Sequence, residues 1–460
     1  MKKKVTGLLL ALSLSLIACL PLLMGGGPIN TRGGGDSPFL LVRLHQLVSN
    51  LSAGVFPARW MPDAAYGLGY PFFNFYASLP YYIAALFKFW GFGFIWAIKL
   101  TQLLGFAAAA ASMYLLAKRL FHREASAILA ALAYTYAPYH LVNVYVRGDA
   151  LSEFYAFVFY PLILWALLRL RDSLLNDQFL PRITRISPIY SSVGNIALVA
   201  LAYGGLILTH NVSALIFTAF VLLYILLTSN LQPPTSKWLA SSAIGLGLGL
   251  AISAWFWLPA LLEGKYAQLE HQTTGYLNYS NHFRGLDLVQ PSLLFDYAIE
   301  AGQTPFAVGL AQAVLALLGV AAIVAWWIKR RRPEAQSAFL IAGLALATFL
   351  ITPLSRPLWD NVPLLPFVQF PWRFLSLQAF FASLVIGYLA QRLPRPRLLA
   401  LWVVPHPTGL ACVTGAVLLA AAMLGLRPEY LPIGEADITV ERLMLYEYFT
   451  ANVGTTIRHE

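Results

Sequence analysis

Long runs of apolar residues recur along the whole chain, and they limit its fold more than any other feature. A helix that crosses a bilayer needs about 20 mainly apolar residues. Hydrophobic residues make up 59% of the 460 positions and charged residues only 11%, whereas a soluble domain is about one quarter charged. We therefore predict an all-α polytopic membrane protein with about 11 transmembrane helices. The apolar runs lie at 5–24, 95–117, 125–145, 154–170, 194–209, 212–229, 239–258, 306–328, 337–352, 374–390 and 398–425.

The N-terminal run allows more than one interpretation. Three lysines followed by an apolar stretch are typical of a signal peptide or of a first spanning helix. Residues 16–19 also resemble a lipoprotein cleavage site, with Cys19 as the lipidated residue. The apolar stretch is long enough to span, so we favour an uncleaved helix.

Lysine and arginine clusters lie between alternate apolar runs. A formal charge of +11 could also indicate nucleic-acid binding, but basic clusters between spans are what orients helices in a bilayer. If every run crosses once, one side holds 18 of the 31 basic residues and only 4 of the 20 acidic ones. That side is predicted to be cytoplasmic. We expect a protein of the plasma membrane with its N-terminus inside, its C-terminus outside and no nucleic-acid partner.

The remaining segments fall on the outer side. Two short amphipathic stretches, 39–51 and 79–90, are predicted to be interfacial helices. We divide the chain into a transmembrane domain, 1–426, and the start of an outer soluble region, 427–460, which is too short for a core of its own and suggests a truncated chain. The outer loops of the transmembrane domain are 25–94, 263–305 and 355–373.

Asp36 is the main candidate for a catalytic group. It follows three glycines and precedes an apolar helix, so a carboxylate could be held at the membrane surface. The alternative is that Asp36 only caps that helix.

Further polar residues of the outer side are candidates for substrate binding. Arginine binds phosphate well through several donors in a fixed fork, and aromatic residues near prolines suit a sugar or an isoprenoid chain. Each candidate also has a structural interpretation, such as an interfacial belt, a local ion pair from Arg147 to Glu153 or Asp149, or a structural histidine. The candidates are Arg59, Asp63, Tyr70, Asn74, Arg147, Glu153, His210, Asn211 and Arg373. If Arg59, Arg147 and Arg373 converge, they form a cationic pocket at headgroup depth.

No cofactor is predicted. The eight histidines show no short metal-ligand spacing, and the chain has no phosphate-binding loop of the nucleotide type. A divalent metal has no support in the sequence.

These motifs together resemble membrane glycosyltransferases of the GT-C superfamily. More narrowly, they resemble bacterial membrane proteins named for a 6-pyruvoyl-tetrahydropterin synthase-related domain, relatives of the YfhO-like group. The zinc site of three histidines that pterin chemistry needs is not discernible. The resemblance rests on Gly-Asp-Ser-Pro at 35–38, Pro-Ala-Arg-Trp-Met-Pro-Asp at 57–63, Gly-Tyr-Pro-Phe-Phe-Asn-Phe-Tyr at 69–76, Tyr-Val-Arg-Gly-Asp at 145–149, Leu-Thr-His-Asn at 208–211 and Val-Gln-Phe-Pro-Trp-Arg-Phe at 368–374.

The resemblance implies a lipid-linked donor and an inverting transfer. A sugar on a polyprenyl phosphate would pass to a glycan, lipid or protein acceptor of the cell envelope at the outer face. Asp36 would be the general base, and Arg59, Arg147 and Arg373 would hold the phosphate. A transporter or flippase of lipid-linked glycans and a non-catalytic protein of envelope assembly are the alternatives.

Overall fold

The computed structural model describes residues 2–31, 38–147, 150–179, 186–229, 235–267, 269–299, 305–392 and 407–450. Within these ranges the chain is mainly α-helical, with two short strands at Ile29–Asn30 and Glu429–Tyr430. The α-helices run Lys2–Ser15, Leu20–Met24, Pro38–Ser52, Phe72–Phe75, Leu79–Phe89, Phe94–Phe121, Glu124–Thr135, Pro138–Tyr145, Leu151–Phe179, Ile186–Thr209, Asn211–Ser229, Thr235–Ile252, Ala254–Glu263, Leu310–Arg330, Ala335–Ile351, Arg356–Asn361, Leu375–Arg392, Pro407–Met423 and Val440–Thr450.

Seven helices in the described part of the chain are long and apolar enough to cross a membrane. Two further pairs of helices, bent by 68° and 92°, would raise the number to nine if each pair is one span. The polytopic helical fold is therefore confirmed, and the expected number of about 11 crossings is not.

Proline accounts for one of the differences. The apolar run at 125–145 is divided into Glu124–Thr135 and Pro138–Tyr145. Proline disfavours helical geometry in the residue before it and has no N–H to donate, so the helix ends before Pro138. The last apolar run, 398–425, lies partly outside the described residues.

Close helix contacts depend on glycine. The helices Ile186–Thr209 and Thr235–Ile252 meet where Gly204 faces Gly249, and a Cβ on Gly249 would lie 2.9 Å from the Ala200 carbonyl oxygen. Small residues allow helix backbones to approach closely within a membrane.

The two most buried spans carry the polar residues of the outer end. The buried share of the apolar stretch is 78% in the span Leu151–Leu175 and 89% in the span Pro371–Gln391. Glu153 lies at the start of the first of these spans and Arg373 at the start of the second, so both side chains belong to the rigid centre of the bundle.

Residues 25–94, called the first outer segment below, contain the two helices expected there. Pro38–Ser52 and Leu79–Phe89 match the predicted ranges 39–51 and 79–90 closely, and both pack against the helix Phe94–Phe121. The described part of the region from 427 onward returns to this segment, because Glu429–Tyr430 pairs antiparallel with Ile29–Asn30.

Candidate functional site

Glu153 is the centre of a buried polar cluster at the end of the bundle that is predicted to face outward. It lies in the first turn of the helix Leu151–Phe179, where the helix dipole stabilises a negative charge. Its side chain is 3% exposed. Its Oε2 atom lies 2.9 Å from Nη1 of Arg147 and 3.7 Å from Nε of Arg373. Two guanidinium groups, separated by 226 positions in the sequence, therefore share one carboxylate.

The short helix Pro138–Tyr145 holds Arg147 in place. Nη1 of Arg147 donates to Oδ1 of Asn143 at 2.8 Å and to the Tyr139 hydroxyl at 3.4 Å. The Tyr139 hydroxyl in turn donates to Oε1 of Glu153. Tyr139 and Asn143 are four residues apart on one helix face, and Arg147 follows just after the helix ends at Tyr145. Their side chains fix the guanidinium group in one orientation.

Arg373 is held by the turn before its span. Its Nη1 atom donates to the Val368 carbonyl at 2.8 Å and to Oε1 of Gln369 at 3.2 Å. Gln369 has a φ of +65°, which is unfavourable for a residue with a side chain. Its amide donates to the carbonyl and side-chain oxygens of Gln272 at 3.0 and 2.9 Å. The outer loop around residue 272 thus fixes the turn that carries Arg373.

Trp372 provides an aromatic wall beside the arginines. Its ring stacks on Phe306 with centroids 4.1 Å apart and on Phe370 at 4.8 Å. The guanidinium carbon of Arg147 lies 4.8 Å from the Trp372 ring centroid, within the range of a cation–π interaction. The cluster therefore has an apolar surface next to its cationic groups.

His210 is part of the same cluster. It lies between the helices Ile186–Thr209 and Asn211–Ser229, and its Nδ1 atom is 2.7 Å from the Ser213 hydroxyl. It is close enough to Glu153, Arg147 and Arg373 to interact with them electrostatically. Its neighbour Asn211 is exposed and its side chain accepts from the Val212 N–H at 3.0 Å.

The charges of the described residues in this cluster do not cancel. Arg147 and Arg373 carry two positive charges and Glu153 carries one negative charge, so these three side chains together are net positive when His210 is neutral. Buried charges are costly unless they are paired, and arginine matches the oxygens of a phosphate in geometry. The arrangement suits a single anionic group such as a phosphate.

Arg59 does not join this cluster. Its side chain is exposed, and within the described residues it makes no ion pair. Of the three predicted arginines, two converge and the third lies apart, in the first outer segment. The expected convergence therefore holds for Arg147 and Arg373 only.

The other candidates of the first outer segment make local contacts. Asp63 and Gln46 form two hydrogen bonds. The Gln46 side-chain amide donates to Oδ2 of Asp63 at 2.9 Å, and the main-chain N–H of Asp63 donates to Oε1 of Gln46 at 2.8 Å. Asn74 donates to Oε2 of Glu263 at 2.8 Å. The main chain of Tyr70 pairs with Met61. These contacts give the segment a defined shape.

Asp36 and Asp149 lie outside the described residues. The role expected for Asp36 as a general base therefore remains a prediction. Of the two ion pairs considered for Arg147, the one with Glu153 is present.

Two buried cations were missed by the sequence analysis. Arg43 is 2% exposed, donates to the Tyr81 hydroxyl at 3.3 Å and lies 4.7 Å from the Phe72 ring centroid. Lys99 is 3% exposed, and its amine donates to the Gly25 carbonyl. Each of them is the one lysine or arginine in a predicted apolar stretch, Arg43 in 39–51 and Lys99 in 95–117, and this was the signal that could have found them.

Metal binding has no structural support in the described ranges. They contain no group of three or more histidine, cysteine, aspartate or glutamate side chains that could hold a metal ion. The chemistry of the cluster around Glu153 is that of arginine, tyrosine and a carboxylate.

The described part of the chain is a polytopic helical bundle with a buried polar cluster at one end. Residues 73–424 match the family described as "6-pyruvoyl-tetrahydropterin synthase related domain; membrane protein". The chain belongs to this family. An uncharacterised protein of Lactococcus lactis is 26% identical over 282 residues, which is 59% of this chain and 41% of that protein.

Solved structures agree on the fold. An oligosaccharyltransferase of Archaeoglobus fulgidus in its apo form has a TM-score of 0.57 and 11% identity, and the match covers 99% of this chain and 60% of that one. ArnT from Cupriavidus metallidurans bound to undecaprenyl phosphate has a TM-score of 0.51 and 14% identity, with 97% and 76% covered. The chain therefore spans less than two thirds of the length of the Lactococcus protein and of the oligosaccharyltransferase.

Proposed function

We propose that this protein is a glycosyltransferase that moves a sugar from a polyprenyl-phosphate donor to an acceptor of the cell envelope at the outer face of the plasma membrane. The proposal rests on one observation, that Arg147 and Arg373 both lie next to the Glu153 carboxylate. These three side chains form a buried, net positive set at the predicted outer end of the bundle, and the fold of that bundle is shared with an oligosaccharyltransferase and with ArnT. Structures with this fold have been solved in complex with undecaprenyl phosphate and with a dolichol phosphate.

The reaction is a single displacement. The acceptor hydroxyl attacks the anomeric carbon, the bond from that carbon to the phosphate oxygen breaks, and polyprenyl phosphate leaves with the bonding electrons. Asp36 takes the proton of the hydroxyl, because a carboxylate with a pKa of about 4 is ionised at neutral pH. The configuration at the anomeric carbon is inverted.

Arg147 and Arg373 act on the leaving group. Charge on the phosphate increases as the bond breaks, and fixed cationic donors stabilise such charge most strongly where water is excluded. Tyr139 and Asn143 orient Arg147, and Gln369 orients Arg373. Trp372 provides an apolar surface beside the phosphate.

Lipid binding by the purified protein in nanodiscs tests the site. We expect undecaprenyl phosphate to bind and undecaprenol, which lacks only the phosphate, to bind at least about tenfold more weakly. Arg147→Gln and Arg373→Gln should each weaken binding of the phosphate lipid by about tenfold or more. Arg356→Gln is the matched control, since Arg356 is exposed. Equal binding of both lipids, or the same loss in Arg356→Gln, would contradict the site.

Sugar transfer tests the chemistry separately. Mass spectrometry of lipid-linked sugars and envelope glycans, in cells with and without the protein, should show donor consumed and product formed. Asp36→Asn should abolish transfer while lipid binding is retained, and EDTA should have no effect if no metal is needed. Translocation of the lipid without transfer would favour a flippase instead.

A further inference from the structure

The segment after the last span makes three separate contacts with the first outer segment and the start of the helix that follows it. Glu435 supplies the first of them. Its carboxylate accepts hydrogen bonds from the main-chain N–H groups of Phe94 at 2.7 Å and Ile95 at 2.9 Å. These are the first residues of the helix Phe94–Phe121, and their N–H groups have no acceptor within the helix. A carboxylate at this end also interacts favourably with the helix dipole.

Gly93 makes this contact sterically feasible. A Cβ at position 93 would lie 2.2 Å from the carboxyl carbon of Glu435, so any larger residue would push the carboxylate away. The first outer segment and Glu435 therefore fit each other closely at this point.

The strand pair is the second contact. Ile29 pairs with Tyr430 and Asn30 with Glu429. The Tyr430 hydroxyl also donates to the Pro21 carbonyl, and its ring lies against Gly25, where a Cβ would be 2.0 Å from a ring carbon. This contact fixes the chain just before residues 32–37.

The third contact is made by the helix Val440–Thr450. Glu447 is 2% exposed, and its Oε2 atom accepts from the Tyr66 N–H at 3.2 Å. Ala65 and Tyr66 have φ of +54° and +59°, and successive residues in such turns direct their N–H groups towards an anion. The ring of Tyr446, next to Glu447, lies 5.9 Å from that of Phe39.

The contacts fall on both sides of residues 32–37 in the sequence. Residues 25–30 precede that stretch, while Phe39, Tyr66 and Phe94 follow it. We propose that residues 429–447, called the C-terminal clasp below, hold the first outer segment in register with the bundle, and that Glu435 is a positioning residue for the transfer reaction. The catalytic part of this inference rests on the proposed function, which assigns the general base to Asp36 of that segment.

Hydrogen exchange of the full-length protein in nanodiscs tests the clasp without any assumption about the reaction. Glu435→Ala should increase the exchange of peptides from 25–31, 61–70 and 94–98 by at least about fivefold, and that of the span 375–391 should not change. Glu441→Gln is the control, because Glu441 is exposed on the same segment. This substitution removes the same negative charge as Glu435→Ala. Faster exchange at 94–98 alone, or an equal effect of Glu441→Gln, would overturn the proposal.

A disulfide tests whether the clasp acts by position. Asn30→Cys with Glu429→Cys joins two residues that face each other across the strand pair. In the Glu435→Ala background, the oxidised bond should restore both slow exchange and the rate of transfer, and reduction should reverse both. The rate of sugar transfer is divided by the number of lipid-binding sites in the sample. A loss of folded protein therefore does not lower the reported rate. The expected result for Glu435→Ala is a lower kcat with an unchanged KM for the lipid donor.

The outcomes separate the clasp from the enzyme. If the wild-type protein transfers no sugar, the exchange data still decide whether the clasp holds the segment. If transfer is normal in Glu435→Ala while exchange is faster, the clasp has no catalytic role and the positioning proposal fails. If exchange is unchanged, the clasp itself is wrong and the transferase proposal stands on its own test.

Discussion

At the scale of single residues, Glu153 has a structural role and, in the proposed function, a role in anion binding. It is buried between two guanidinium groups, and the Tyr139 hydroxyl binds its other oxygen. Removing one partner from a buried ion pair leaves a charge without compensation, which costs about 3–5 kcal/mol. The stability of the outer end and its affinity for an anion therefore depend on the same carboxylate.

We expect Glu153→Gln to lower thermal stability markedly, because two buried arginines lose their counter-ion. The predicted loss in free energy of unfolding is about 3–5 kcal/mol, measured by thermal unfolding in detergent. Undecaprenyl phosphate should restore part of this loss, since its phosphate replaces the missing negative charge. Asp360→Asn is the control: that carboxylate is exposed, and an exposed pair contributes at most about 1 kcal/mol. A variant as stable as the wild type would contradict the account.

The sequence predicted only some of the residues that form the cluster around Glu153. Arg147, Glu153, His210 and Arg373 each stood out as polar residues near the outer ends of spans, but their meeting depends on which helices pack together. Tyr139 and Asn143 were missed, although both lie within eight residues of Arg147 in the sequence. Arg59 carried the same signal as Arg147 but lies apart from the cluster. Its position could not be predicted, because nothing in the sequence fixes the path of the first outer segment.

At the scale of elements, glycines decide how closely helices pack. Gly249 faces Gly204 in the neighbouring helix, whereas a Cβ on Gly247 would meet nothing within 4 Å. Both glycines lie in Thr235–Ile252, so they form a matched pair for a test of packing.

Gly249→Val should destabilise the bundle and Gly247→Val should not. A valine at 249 would overlap the backbone of the neighbouring helix, and overpacking of this kind typically costs about 1–3 kcal/mol. The measurement is thermal unfolding of the two purified variants under identical conditions. Equal stability of the two would show that the contact at Gly204 does not limit the packing.

The docking of the helix Val440–Thr450 should depend on pH. Burial raises the pKa of the Glu447 carboxyl above its ordinary value of 4.5, although main-chain N–H groups of Tyr66 and Ala65 oppose this. The docked state therefore binds the proton more tightly than the undocked state. Docking is strongest below pH 4.5 and weakens as the pH rises through the raised pKa.

Hydrogen exchange of residues 61–70, corrected for the intrinsic effect of pH, measures this docking. Protection should increase as the pH is lowered from 7.5 to about 5. Glu447→Gln should be protected equally at both values, because its side chain does not titrate. Protection that falls on acidification in the wild type would contradict the sign of the effect.

Element boundaries followed from the sequence where one physical rule dominated. The helices at 38–52 and 79–89 were predicted within one or two residues from their amphipathic pattern. The run at 125–145 was wrongly taken as one span because its hydropathy is continuous, and the effect of Pro138 on the residue before it was not weighed.

At the scale of the whole molecule, the distribution of charge sets the orientation in the membrane. Basic clusters on one side predict that the loop at 329–332 is cytoplasmic and that the loop at 263–305 is outside. The membrane class followed from composition, and the expectation of a GT-C-like fold came from the resemblance of the motifs. The number of crossings did not, since apolar runs that bend or break look the same in sequence as straight spans.

Cysteine labelling tests this orientation. In a background without Cys19 and Cys412, a membrane-impermeant maleimide should label Leu286→Cys in intact cells, because Leu286 is fully exposed in an outer loop. Arg331→Cys, exposed in the basic loop, should be labelled only after the membrane is opened. The reverse pattern would place the site around Glu153 on the cytoplasmic side.

The site itself is tested most directly by a distance between phosphorus and nitrogen. Solid-state NMR can measure the dipolar coupling between the phosphate of undecaprenyl phosphate and ¹⁵N-labelled arginine side chains of the protein in bilayers. We predict couplings that correspond to about 4 Å from two guanidinium groups, one lost in Arg147→Lys and the other in Arg373→Lys. Absence of such couplings in the wild type, or their survival when both arginines are replaced, would contradict the account.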